Sequence, residues 1–168
     1  MPRVFWRIAV FSLLSLACCA AAKPLLRPLT PDQGLSQGSV QDLLLDHDGF
    51  LWVATAGGLN RFDSTEVVQP GSAEHHLREV NFTRLLQSQN NQIFAATTSG
   101  DLYQYQPDSG HMQLFSQLTS QDETLLYPSI TAIIQQDNQH LLVATLNAVY
   151  RVAVSNGRAS KLFDLAAL

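Results

Sequence analysis

Apolar and polar positions alternate in short runs, and the pattern returns three times along the chain. Val40, Leu43 and Leu45 lead into the polar stretch Asp46-His47-Asp48-Gly49, after which Leu51-Trp52-Val53-Ala54 brings back aromatic and β-branched side chains. Short runs of this kind, bounded by Gly, Asn and Asp, predict β-strands joined by tight turns. No window sustains apolar residues at helical spacing, so a helical solenoid is disfavoured. The pattern reappears over residues 81–105 and 129–152, with Thr55, Thr97 and Thr145 at equivalent points, 42 and then 48 residues apart. Repeats of that length belong to solenoids and propeller blades.

Inside each copy the turns are legible. Asp46-His47-Asp48-Gly49, Gln89-Asn90-Asn91 and Asp137-Asn138-Gln139 supply residues tolerant of left-handed backbone at hairpin tips. Gly57-Gly58 predicts a second tight turn, with both glycines free to take positive φ, and Leu59 to Phe62 a third strand. An outer fourth strand is expected at Thr65–Gln69, His111–Ser116 and Arg158–Asp164, the last two following the turn pairs Ser109-Gly110 and Asn156-Gly157. The expectation is an all-β chain of β-propeller blades, each of four antiparallel strands. Blade one occupies residues 39–80, blade two 81–128 and blade three 129–168. Residues 23–38 form an N-terminal strand, at Leu25–Leu29, and the lead-in to the first blade.

The first 22 residues read differently. Arg3 and Arg7 form a basic start, and Ile8 to Ala22 runs fifteen residues without a charge, short of the roughly 20 apolar residues a membrane span needs. Ala20-Ala21-Ala22 ahead of Lys23 is a small-residue cleavage pattern, so residues 1–22 read as a cleavable signal peptide. The competing readings are an uncleaved anchor, or a lipoprotein signal at Leu16-Ala17-Cys18-Cys19. Removing the leader removes Cys18 and Cys19, the chain's two cysteines, and leaves eight basic against fourteen acidic residues. The exported part therefore has no disulfide and must be held by packing. Its acidic balance excludes the basic stripe that nucleic acid would require.

With these residues in view, the run from Asp32 to Val40 and then from Leu45 through Asp46, Asp48, Gly49, Trp52, Thr55, Gly57 and Gly58 to Asn60, Phe62 and Asp63 resembles the two-component regulator propeller repeat. Copies two and three keep the Ala-Thr corner but hold Phe94 and Leu142 at the tryptophan position, and copy three has Asn147-Ala148 for the glycine pair. The resemblance implies the exported, periplasmic sensor region of a membrane signalling protein, mostly hybrid histidine kinases and sometimes diguanylate cyclases. The membrane would be reached only through a C-terminal region beyond these blades.

Most candidate chemistry reduces to structure. Asp46-x-Asp48-Gly49 opens like a calcium loop, but position twelve is Gly57 and not a glutamate, which favours a turn with Asp in the left-handed region. His75-His76 point to opposite sides of an extended chain and make no metal site by themselves. Asn81-Phe82-Thr83 is a glycosylation pattern, yet Phe82 aligns with Val40 and Ile130 as a buried strand position. Trp52 is expected to fill the wedge between sheets, and the Thr55 hydroxyl to fix a corner. No catalytic, metal or cofactor motif stands out. Fifteen glutamines suit a solvated surface first and, as the alternative, a neutral polar ligand such as a carbohydrate. Asn60, Arg61 and Arg151 are candidate ligand contacts, as polar residues on segments taken to be inner strands.

About three blades do not close a ring of four to eight. The expectation is the N-terminal part of a longer sensor, its partners being the remaining blades or, in a six-bladed ring, a second copy. The alternative is a secreted propeller enzyme, similar to propeller lyases, or an adhesion module.

Overall fold

The computed structural model describes residues 28–70, 77, 79–122, 125 and 127–164. The leader, most of the strand expected at Leu25–Leu29, and His75-His76 lie outside them; Pro28 and Leu29 are irregular. Three four-stranded antiparallel meanders follow one another. Blade one holds β1 (Val40–Leu45), β2 (Leu51–Thr55), β3 (Gly58–Phe62) and β4 (Val67–Val68). Blade two holds β5 (Phe82–Gln87), β6 (Ile93–Thr97), β7 (Asp101–Gln106) and β8 (His111–Gln117). Blade three holds β9 (Ala132–Gln135), β10 (His140–Ala144), β11 (Ala148–Ala153) and β12 (Ala159–Asp164). A single helical turn, Leu118–Gln121, follows β8. The sheets do not close a ring. Among the described residues no helix is long and apolar enough to cross a membrane.

The blades touch mainly through their first strands, β1 lying along β5 and β5 along β9, so these are the inner strands and β4, β8 and β12 the outer ones. The two-residue alternation of a strand then gives each blade a forward and a backward face. Trp52 and Ala54 face forward into a core with Phe82, Leu85, Ile93, Ala95 and Tyr103 of blade two. Phe94 and Ala96 repeat this toward Ile133, Leu141, Val143 and Tyr150 of blade three.

Two faces remain without a blade. On the back of blade one, Leu43 and Leu45 are 57% and 67% exposed; on the front of blade three, Ile134 and Phe163 are 56% and 62% exposed. Phe82 and Ile130 are buried as aligned, but Val40 is exposed, because among the described residues no blade packs behind blade one as blades one and two pack behind those residues. The lead-in covers part of that back face: Leu35 is buried, and Ser36 bonds inward to β2 and β3.

Candidate functional site

The repeat's signature residues form one bonded framework. Asp46 is buried at the β1–β2 tip. One of its carboxylate oxygens accepts the Asp48 and Phe50 N–H groups at 3.0 and 2.9 Å, and the other accepts the Trp52 indole N–H at 2.7 Å. The left-handed residue of this tip is Gly49, φ 87°, and not an aspartate as expected; a short carboxylate is used here as an acceptor for turn amides. Blade two builds the same tip with Ser88, whose hydroxyl accepts the Gln92 N–H at 3.1 Å, and with Asn91 left-handed at φ 60°. Trp52 fills the wedge between blades one and two, edge-on to Tyr105 at 4.8 Å.

All three threonine corners work alike. The Thr55 hydroxyl donates to Gly58 O at 2.9 Å, Thr97 to Asp101 O at 3.1 Å and Thr145 to Ala148 O at 3.3 Å, joining the second and third strands where they turn. The glycine pair differs from expectation in one respect. Gly58 takes a positive φ of 148°, whereas Gly57 does not; Gly57 is small because an added Cβ would stand 2.9 Å from Gln37 Cβ in the lead-in.

Asn60, Arg61 and Arg151 do not sit on inner strands. Asn60 and Arg61 are on β3 and Arg151 is on β11, each third from the inner edge, because the chain enters every blade at the centre and winds outward. Asn60 is fully buried and spends its amide on Ser36 N–H (2.8 Å), Ser36 Oγ (2.8 Å) and Val53 O (3.1 Å). Arg61 reaches into the seam with blade two. Its guanidinium donates to the Tyr105 hydroxyl at 2.7 Å and lies over the rings of Phe50, Trp52 and Tyr105, at 4.5 to 5.9 Å. Arg151 occupies the same place on blade three's forward face and donates to Gln136 Oε1 of its own blade at 3.1 Å.

Several inter-blade contacts escaped the sequence reading. The His47 N–H donates to Gln87 Oε1 at 3.2 Å, and the Gln89 N–H donates to Gln135 Oε1 at 2.8 Å. Asp42 on β1 accepts the Leu85 N–H of β5 at 2.8 Å. The two glutamines stand ten residues before Thr97 and Thr145 respectively, so equal offsets were the available signal.

The concave feature nearest the repeat motif lies where the lead-in crosses the β2–β3 corner. It is an open cavity of about 440 Å³ bordered by Gly34, Ser36, Gly58, Gln69 and Glu79, a volume in the range of small-ligand sites. Glu79 holds a left-handed φ of 63°, costly for a residue with a long side chain. Gln69 donates to Gly34 O at 3.0 Å, tying the exit of blade one to the lead-in. Among the described residues no three His, Cys, Asp or Glu side chains gather as a metal site.

This architecture is a stack of propeller blades. Residues 34–57 match the family described as two component regulator propeller, a segment running from one wall of the corner cavity, Gly34, to another, Gly57. No curated protein matches the chain. Among solved structures the chain is similar to the extracellular domain of a hybrid two component system of B. thetaiotaomicron, with a TM-score of 0.66 and 21% identity over 83% of this chain and 20% of that one. The extracellular domain of a one component system from the same organism gives 0.65 and 16% identity, over 83% and 18%. A catalytically inactive virginiamycin B lyase from Staphylococcus aureus, with quinupristin, gives 0.57 and 12% identity, over 73% and 40%. These likenesses establish the propeller fold. The chain spans about a fifth of the length of the two extracellular domains.

Proposed function

We propose that these blades belong to the exported sensor domain of a membrane signal-transduction protein, with the ligand bound by the propeller in the periplasm and the output made by a kinase or cyclase region. The observation that carries this reading is the two component regulator propeller match at residues 34–57. The likeness to extracellular domains of two component and one component systems supports it, and the basic, then uncharged, then small-residue start of the chain supports export.

The corner cavity is the place for the ligand. Ser36, Gln69 and Glu79 offer hydroxyl, amide and carboxylate groups, a set that hydrogen-bonds a neutral polyhydroxylated molecule such as an oligosaccharide better than an anion. Calorimetric titration of the exported chain with a panel of neutral oligosaccharides is the test. A saturable binder whose affinity falls at least about tenfold in Glu79→Ala supports the site; binding unchanged by that substitution moves the ligand elsewhere. The second reading is a lyase-like propeller, favoured by the S. aureus similarity. Turnover of quinupristin by the purified chain would support it over a sensor.

A further inference from the structure

Within the reading of these blades as part of a longer propeller, the seams show what the open forward face of blade three accepts. We infer that this face takes a further blade of the same repeat carrying a side-chain acceptor at the position that Gln87 and Gln135 hold, and that it does not take blade one of a second copy.

Two complete seams give the rule. In each, the forward wedge residue of one blade (Trp52, then Phe94) is buried against the next blade. In each, the backbone N–H one residue past the start of the tip, His47 and then Gln89, donates to a glutamine that ends the next blade's inner strand. Blade three presents the same elements with no blade opposite them among the described residues. Leu142 holds the wedge position, with the exposed Ile134 opposite it on β9 and the exposed Phe163 farther out on β12. The corresponding amide, Asp137 N–H, is left a long 3.3 Å bond to His140 O, which already accepts the Gln136 N–H at 3.0 Å. Arg151 stands where Arg61 crosses its seam to the Tyr105 hydroxyl.

Blade one of a second copy offers apolar Leu43 and Leu45 to the wedge but would answer neither polar group, the Asp137 N–H nor Arg151. Where blades two and three carry Gln87 and Gln135, it carries Leu45, a hydrocarbon that accepts no hydrogen bond. Where Tyr105 meets Arg61, it carries Phe62, which has no hydroxyl. Its back face is also partly taken, since Leu35 and Ser36 already pack on it and Ser36 bonds to Asn60 and Thr55. The length of the matched extracellular domains leaves ample chain for further blades.

The test has three arms. In the 168-residue chain, Gln135→Leu is expected to speed hydrogen exchange of the Gln89 amide about tenfold; an unchanged rate overturns the latch. The reading frame beyond Leu168 is expected to encode another four-strand repeat with Gln, Asn, Glu or Asp at the latch position. A repeat with an aliphatic residue there overturns this inference and leaves the longer propeller standing, whereas a stop codon overturns both. Finally, sedimentation of the 168-residue chain is expected to show no discrete dimer; a dimer abolished by Leu45→Glu would assign the face to a second copy.

Discussion

Blade two and blade three fold the same repeat and bury it differently. In β6 all five residues from Ile93 to Thr97 are buried, because a sheet lies on either side; in β10 burial alternates, with Leu141 and Val143 covered and His140, Leu142 and Ala144 only partly so. The inner strands show the same contrast, β5 being largely covered and β9 exposing Ala132 and Ile134. A blade thus makes its own strand ladders, but its packing and several tip and inner-strand hydrogen bonds are finished only by its neighbours. Repeat architectures share this property, since each unit contacts only adjacent ones.

The contrast can be broken first at the wedge position. Phe94→Ala, in the seam, is expected to cost about 3–5 kcal/mol, and Leu142→Ala, on the open face, less than about 1 kcal/mol, by urea unfolding. Equal costs would mean that blade three's front is covered after all. A glycine pair sharpens the same point. Gly110 and Gly157 end equivalent turns at φ 72° and 68°, but a Cβ on Gly110 meets nothing within 4 Å, whereas one on Gly157 would stand 1.9 Å from the Phe115 carbonyl oxygen of blade two. Gly110→Ala should therefore lose about 1 kcal/mol of backbone strain alone, and Gly157→Ala about 3 kcal/mol or more, because the two sheets must part. Similar losses would show that the outer seam is loose.

Smaller effects follow from the polar contacts. Gln135→Leu should destabilise by about 1 kcal/mol through the unanswered Gln89 amide, while Gln113→Leu, on outer strand β8 away from any latch, should be near neutral. The smallest effect is a pH dependence confined to blade one's outer turn. Hydrogen bonds from the Thr65 hydroxyl, then from the Glu66 and Thr65 N–H groups, hold the Asp63 carboxyl down at about 2, below its ordinary 3.8. A depressed carboxyl contributes its stability above the ordinary value and loses it as the pH falls toward 2. Protection of the Glu66 amide, exchange taken relative to its intrinsic rate at each pH, should fall over that window and stay flat from pH 5 to 7; a fall centred near 4 would show that the turn does not hold the charge.

Much of this architecture was legible because each strand carries its own pattern. The Ala-Thr corners stand at strand ends and the polar tips between strands, as read. The outer strands expected at His111–Ser116 and Arg158–Asp164 fell within a residue of β8 and β12, whereas the one expected at Thr65–Gln69 is only the two residues of β4. What the sequence did not show was radial order. Whether a meander winds outward or inward leaves the same alternation along each strand, so Asn60, Arg61 and Arg151 were assigned to inner segments when they lie third from the centre. Asn60 was misread for a related reason: a buried amide with three partners and an exposed amide poised for a ligand look identical in one dimension. Gly57 was credited with backbone freedom when its need is a close approach from the lead-in, a contact between segments some twenty residues apart. The latch glutamines were hidden among fifteen glutamines, and only register separates them from the rest.

The claim that blade three ends on an unfinished seam is tested most directly by thiol labelling. With Cys18 and Cys19 replaced by serine, Ile134→Cys and Ile133→Cys place a single thiol on the open and the buried face of β9. In the 168-residue chain Ile134→Cys should react rapidly and Ile133→Cys slowly. In a longer protein that carries the further blade inferred above, Ile134→Cys should slow at least about tenfold toward the rate of Ile133→Cys. An Ile134→Cys that reacts equally fast in both proteins would contradict the account.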